Sequence, residues 1–255
     1  MDEPYRESPM LERGLDLLGY DPFERLAEGT RFQQPALFLC SVAAWDEHDP
    51  GEDIVVAAAG HSLGEYAALV AAGALAFEDA VMLVDERAAA MAEAAHLDPG
   101  GMLAMLGGDD QAVRGLASTL GLTVANDNAP GQLVLSGSIE AIALAEERAQ
   151  EATGARARRL DVTGAFHSPL MAPAAERLGV ALARTPFIAP GIPVYSNGTA
   201  APFGDIRAEL ARNLLRPVRW RETLLALRAA GVERFVELGP GAVLTGLVKR
   251  TLTAA

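Results

Sequence analysis

A serine becomes a nucleophile when its backbone presents it sharply and a base takes its proton, and Gly60-His61-Ser62-Leu63-Gly64 meets the first condition. The spacing is that of a G-x-S-x-G nucleophile elbow, where a strand turns abruptly into a helix with the serine at the apex. Both flanking glycines are expected to let strand and helix pass closely. The Ser62 hydroxyl would then project from the sheet edge at a helix amino terminus, where the Leu63 backbone N–H could donate to an oxyanion. The bare motif also fits a tight turn with an N-capping serine; the strand before it and the helix after it favour the nucleophile. A free hydroxyl is almost fully protonated at neutral pH, so Ser62 needs a base. Four histidines are available: His48, His61, His96 and His167. His48 lies in an acidic surface turn and His96 near a helix end, and both read as solvated. His61 adjoins the nucleophile, whereas His167 is far from it in sequence.

The elements that must position this chemistry follow from the apolar pattern. Residues 54–59, Ile-Val-Val-Ala-Ala-Ala, form a short apolar run suited to a strand buried on both faces. Residues 65–72 continue as a helix, and a second, alanine-rich helix is predicted over 77–95, begun near Glu78-Asp79. The chain before Asp49 reads as mostly helical, with Leu15, Leu18, Ala36, Leu37, Leu39 and Val42 at helical spacing. After Pro99-Gly100-Gly101 the character changes. Strands are predicted at 102–106, 122–125, 132–136 and 157–162, with helices at 109–120 and 139–153. This β-α-β-β-α-β order is that of a ferredoxin-like unit. The large domain resumes with a helix at 172–183, a strand at 193–196, helices at 206–214 and 220–230, and a strand at 234–238. The expected fold is therefore α/β. A hydrolase-like domain over 1–98 and 163–255, with a parallel central sheet and the nucleophile elbow, would carry an inserted ferredoxin-like small domain over 99–162.

Beyond the elbow, the string Gly60-His61-Ser62-Leu63-Gly64-Glu65-Tyr66-Ala67-Ala68-Leu69 resembles the active-site signature of malonyl-CoA:acyl-carrier-protein transacylases and of the acyltransferase domains of polyketide and fatty-acid synthases. Four further segments resemble that family's pattern in the same order. They are Phe32-Gln33-Gln34-Pro35-Ala36-Leu37, Asn126-Asp127-Asn128-Ala129-Pro130-Gly131-Gln132 with Ser136-Gly137, Gly164-Ala165-Phe166-His167-Ser168-Pro169-Leu170-Met171, and Glu237-Leu238-Gly239-Pro240-Gly241-Ala242-Val243-Leu244. The resemblance implies that His167 is the base. It also implies that Arg87 pairs with a free carboxylate on the substrate, a guanidinium gripping it through two parallel hydrogen bonds. A malonyl rather than an acetyl thioester follows. Phe166 resembles the malonyl-selective form, leaving little room for an α-methyl branch, a clash that discriminates by about 1–3 kcal/mol. His61 and Asn128 are implied to shape the pocket. The segment around Asn213 would orient His167 through a carbonyl; Asn213 stands where the family usually has Gln, which leaves the main-chain carbonyl available. No aspartate is placed as a third member, so the site reads as a Ser-His dyad. The implied reaction is ping-pong transfer from malonyl-CoA to the phosphopantetheine thiol of acyl carrier protein, with no cofactor and no metal.

The sequence departs from the pattern at its start. Family members open with a strand and an F-P-G-Q-G-S-Q loop that supplies a second oxyanion donor, and residues 1–18 instead resemble the helix that follows it. Losing one such donor costs about 10²–10³ in turnover. A displaced start is the expectation favoured here. The rival is natural loss, leaving a non-catalytic carrier-binding module; the other alternative to a role in fatty-acid biosynthesis is a polyketide-type acyltransferase with the same chemistry.

Composition sets the outer limits. A length of 255 residues suits one large domain or one with an insertion, and 50% hydrophobic residues supply a core. The net charge of −13 argues against a general nucleic-acid binder. The polar, acidic amino terminus does not read as a signal peptide. The most apolar stretch is interrupted by His61, Ser62 and Glu65, short of the about 20 unbroken residues of a membrane span. A single cysteine, Cys40, allows no internal disulfide and suits a reducing compartment. A cytoplasmic monomer is expected. An acidic carrier protein would need a local basic face, for which Arg156, Arg158, Arg159, Arg216, Arg219, Arg221, Lys249 and Arg250 are candidates.

Overall fold

In the computed structural model, which describes residues 1–253, helices and short strands follow one another along that span. They are α1 (Pro9–Leu18), α2 (Thr30–Asp46), β1 (Ala58–Ala59), α3 (Gly64–Ala71), α4 (Phe77–Leu97), β2 (Gly100–Leu106), α5 (Asp110–Thr119), β3 (Thr123–Ala129), β4 (Gln132–Ser138), α6 (Ile139–Thr153) and β5 (Arg156–Arg159). The chain continues through α7 (Ala172–Arg184), β6 (Val194–Ser196), β7 (Ala201–Pro202), α8 (Ile206–Asn213), α9 (Trp220–Ala229) and α10 (Val243–Thr253). Local chemistry sets many of the boundaries. Asp109, Ser138 and Asp205 each accept a backbone N–H at the start of α5, α6 and α8. Gly19 and Gly154 close α1 and α6 in the left-handed conformation that favours glycine.

The large domain is built around α2, α3 and α4, which pack on one another, with α7 against α4. Tyr66 and Leu69 of α3 are fully buried against Phe38 and Leu39 of α2 and Val84 of α4, within one apolar core. Each such side chain contributes about 1.5–3 kcal/mol by leaving water, which fixes the helix that follows the elbow. Its sheet has the order β1-β6-β7, with β1 parallel to β6 and β7 antiparallel.

Residues 100–159 form a separate four-stranded antiparallel sheet of order β3-β4-β2-β5. Both helices of this unit cover one face, around a core of its own that includes Leu103, Met105, Leu133 and Leu135. That is the ferredoxin-like order. The two domains meet along β3, where Asn126 forms an isolated parallel bridge with Val218 and Arg221 pairs with Asp110 and Asp127.

Two expected strands are corrected. Of residues 54–59 only Ala58 and Ala59 join the sheet, paired with Val194 and Tyr195, and residues 234–238 form no strand. A strand needs a neighbouring backbone for its N–H and C=O groups, and these segments instead line a cavity of about 730 Å³ that lies between them. Ile54 is 83% exposed, so the first segment is not buried on both faces. The last strand of the small domain is also shorter than expected, ending at Arg159.

Candidate active site

Short strand β1 delivers the chain to Gly60, and α3 begins at Gly64, so residues 60–63 make the turn. Ser62 sits at its apex with φ +51°, and His167, in the loop after the small domain, has φ +57°. A non-glycine residue in this region costs on the order of 1–3 kcal/mol, a cost that persists where surrounding contacts over-determine the backbone. These two residues, 105 apart in sequence, are brought together: Ser62 Oγ lies 2.8 Å from His167 Nε2.

The hydrogen-bond pattern fixes the tautomer. His167 Nδ1 lies 2.8 Å from the main-chain oxygen of Asn213 and 3.2 Å from that of Arg216. Carbonyls only accept, so Nδ1 carries the proton and Nε2 is free to accept from Ser62. The imidazole is buried, and burial, followed by the nearby Arg87 charge, pulls its pKa down to about 4. It is therefore neutral at neutral pH, the form a base requires.

Arg87, on α4, is 4% exposed. Its Nη2 donates to Ser62 Oγ at 2.9 Å, its Nη1 donates to Gln34 Oε1, and its guanidinium lies 5.8 Å from the Tyr66 ring centroid. Burial lowers its pKa from the ordinary arginine value. Among the described residues no carboxylate lies within ion-pair distance of it.

The remaining expected site residues are placed as follows. Leu63 follows Ser62 at the entry of α3, and its backbone N–H makes no hydrogen bond within the described residues. His61 Nε2 lies 2.8 Å from Asn128 Oδ1 of β3, and its ring meets that of Trp220 edge-on at 5.5 Å. Burial lowers the His61 pKa. Phe166 is buried in the main core, next to Gly164 and Ala95. Asn213 contributes its main-chain oxygen to His167, while its side chain turns away to Glu65 and Ser196.

Three side chains at the site were not singled out from the sequence. Gln34 holds the Arg87 guanidinium, Asn197 Oδ1 accepts the Ser62 N–H at 2.6 Å, and the Glu65 carboxylate accepts from both Asn197 and Asn213. Gln34 and Glu65 stand inside two of the motif strings, but nothing in the strings gives their partners. Asn197 carries no sequence signal.

The two elbow glycines differ, correcting the expectation that both serve a close approach. A Cβ on Gly60 would overlap the Gly64 carbonyl, whereas one on Gly64 meets nothing within 4 Å, and neither residue has a positive φ. Gly60→Ala is expected to cost about 3 kcal/mol or more, because the clash is with backbone that cannot swing aside. Gly64→Ala should fall within about 1 kcal/mol of the parent. Thermal melting of the two variants checks this, and equal losses would contradict it.

The family model described as "Acyl transferase domain" matches residues 15–255. The malonyl CoA-acyl carrier protein transacylase of Bacillus subtilis is 43% identical over 225 residues, covering 85% of this chain and 71% of that protein. The enzyme of the same name from Salmonella typhimurium is 42% identical over 256 residues, covering 93% of this chain and 83% of that one. Among solved structures, MCAT from Streptococcus pneumoniae superposes with a TM-score of 0.89 at 38% identity, covering 100% of this chain and 89% of that chain. This chain belongs to the acyl transferase domain family.

Proposed function

We propose that this protein transfers a malonyl group from malonyl-CoA to the phosphopantetheine thiol of acyl carrier protein, through a malonyl-serine at Ser62, in fatty-acid biosynthesis. One observation carries the substrate class: Arg87 is buried beside the nucleophile with no carboxylate partner among the described residues. A buried cation is costly unless paired, and the free carboxylate of a malonyl thioester would supply the pair a few ångströms from the attacking oxygen.

In the proposed mechanism His167 Nε2 accepts the Ser62 proton as Oγ attacks the thioester carbonyl. The Leu63 N–H donates to the resulting oxyanion at the amino terminus of α3. Collapse expels CoA, whose sulfur takes the proton from His167, and leaves the malonyl ester on Ser62. The carrier thiol then gives its proton to His167 and attacks the ester; Ser62 Oγ leaves, taking that proton from His167, as the hydroxyl. His61, Asn128 and Phe166 shape the pocket, and Asn213 orients His167. The two substrates bring all the reacting groups, so no further cofactor enters.

The acidic carrier meets a local basic face in this reading, despite the overall charge of −13. Arg159, Arg219 and Arg221 are already paired with Glu146, Glu222 and the Asp110–Asp127 pair. Exposed Arg156, Arg158, Arg216 and Lys249 make no ion pair among the described residues, and Arg216 adjoins His167 through its carbonyl. No described helix is long and apolar enough to cross a membrane. The protein is proposed to act as a cytoplasmic monomer.

The test is intact-protein mass after brief incubation with malonyl-CoA, then with holo acyl carrier protein. One malonyl adduct is expected on the wild type and none on Ser62→Ala, with acetyl-CoA giving little. The carrier should then discharge it. A folded protein that forms no malonyl adduct would sink the proposal.

A further inference from the structure

Behind the Ser62–His167 pair lies an acid that the proposed mechanism does not use. Glu65, in the first turn of α3, is 2% exposed. Its Oε1 accepts the backbone N–H of Asn197 at 2.7 Å and Asn213 Nδ2 at 2.9 Å, and its Oε2 accepts the same amide at 3.1 Å. Each partner then reaches one half of the catalytic pair. Asn197 grips the elbow on both sides, with Oδ1 accepting the Ser62 N–H at 2.6 Å and Nδ2 donating to the Gly60 carbonyl at 2.7 Å. Asn213 donates its amide also to Ser196 Oγ at 3.1 Å and accepts His167 Nδ1 on its main-chain oxygen. One carboxylate thus stands behind both the nucleophile and the base.

We infer that Glu65 is a positioning residue for acyl transfer, holding Ser62 through Asn197 and His167 through Asn213, and that it does so as the carboxylate. The chemistry of the contacts sets the second clause. Both partners present N–H donors to this group, which the ionised form matches best, accepting on both oxygens with no hydroxyl hydrogen to place among donors. A protonated carboxyl would turn a hydroxyl toward a donor and lose part of the network. Asn197, Asn213 and Ser196 are themselves buried, so water cannot easily restore the lost bonds.

The surroundings place this ionisation in a measurable range. Burial is the largest influence and raises the Glu65 pKa to about 7, opposed by the Asn197 and Asn213 donors and by the charge of Arg87 on α4, and assisted by Glu209 on α8. Tyr66, beside it on α3, stays neutral, its phenol pushed well above its ordinary value by burial. With its pKa raised, Glu65 is protonated below about pH 7 and complete as an acceptor above it.

The inference rests on the acyl-transfer reading only for Ser62 as nucleophile, so its test avoids the thioester. A fluorophosphonate probe forms an oxygen–phosphorus bond to Ser62 and expels fluoride, with the serine proton going to His167. Its rate of labelling, followed by intact mass against a Ser62→Ala background, is measured across pH. The wild type should rise again through about pH 7, above the limb that neutral His167 sets near pH 4. Glu65→Gln copies the shape and charge of the protonated acid, so it should match the wild type near pH 5 and lag roughly tenfold near pH 8.5, about one unit of pKa-scale coupling. With malonyl-CoA the variant should lose kcat at nearly unchanged KM, because Arg87 still holds the carboxylate. A wild-type profile flat between about pH 5 and 8.5 overturns the inference and requires no variant to fold. An equal deficit of a folded Glu65→Gln at both pH values overturns it too, since that marks a merely structural loss. No labelling of the wild type overturns the nucleophile reading itself, and this inference with it.

Discussion

His167→Ala is expected to lower the rate of Ser62 acylation by malonyl-CoA by about 10⁴-fold or more, the range seen when a base acting as a unit with its nucleophile is removed. The reason is geometric. Nε2 at 2.8 Å is the only nitrogen base hydrogen-bonded to Ser62 Oγ among the described residues; Arg87, the other partner, donates to that oxygen and cannot take its proton. The variant should keep its fold, because the imidazole bonds only to two main-chain oxygens and to Ser62. Quenched-flow acylation measured alongside the melting curve separates the two effects. In the wild type the same assay should step down as pH falls through about 7, where Glu65 protonates, and fall again through about 4, where the buried imidazole finally protonates. A His167→Ala rate within tenfold of the wild type would remove this residue from the mechanism.

Arg87→Ala should lower malonyl-CoA acylation by roughly 10²–10³-fold while leaving acetyl-CoA acylation unchanged or faster, because a desolvated, forked ion pair is lost for one substrate alone. Arg87→Lys should recover little, since an ammonium cannot make two parallel bonds from a fixed plane. A second readout comes from electrostatics. The Arg87 charge is the second-largest influence holding the His167 pKa down, so without it the acid limb of Ser62 labelling should move to higher pH. The change also strips Gln34 Oε1 of its donor, a loss of about 1–3 kcal/mol in stability. Equal losses for malonyl and acetyl substrates would show that Arg87 serves the nucleophile and not the substrate carboxylate.

Much of the architecture was legible in the chain. The β-α-β-β-α-β pattern of residues 100–159 shows in the sequence because β2 and β4 carry apolar runs between clear turns, and each helix has its own cap, as at Asp109 and Ser138. These are local signals, carried within a dozen residues. The two expected strands that failed, 54–57 and 234–238, are apolar enough to be strands. Whether an apolar segment becomes one depends on a neighbouring backbone, and propensity does not report that.

The candidate site divides in the same way. The G-x-S-x-G spacing marked Ser62 because an elbow is a local backbone event, one motif string contained His167, and the family resemblance implied Arg87 on the helix after the elbow. Only the tertiary structure decided the rest. It brought His167 within 2.8 Å of a serine 105 residues away, left Arg87 buried without a carboxylate among the described residues, and assigned Gln34, Glu65 and Asn197 to the network behind them. It also separated Gly60, whose missing Cβ makes room for the Gly64 carbonyl, from Gly64, whose own side is open. The sequence by itself determined which residue types were available and which local turns would present them. Distance, burial and hydrogen-bond partnership are relations between segments remote in the chain, and those arise only when the packed core brings the segments together.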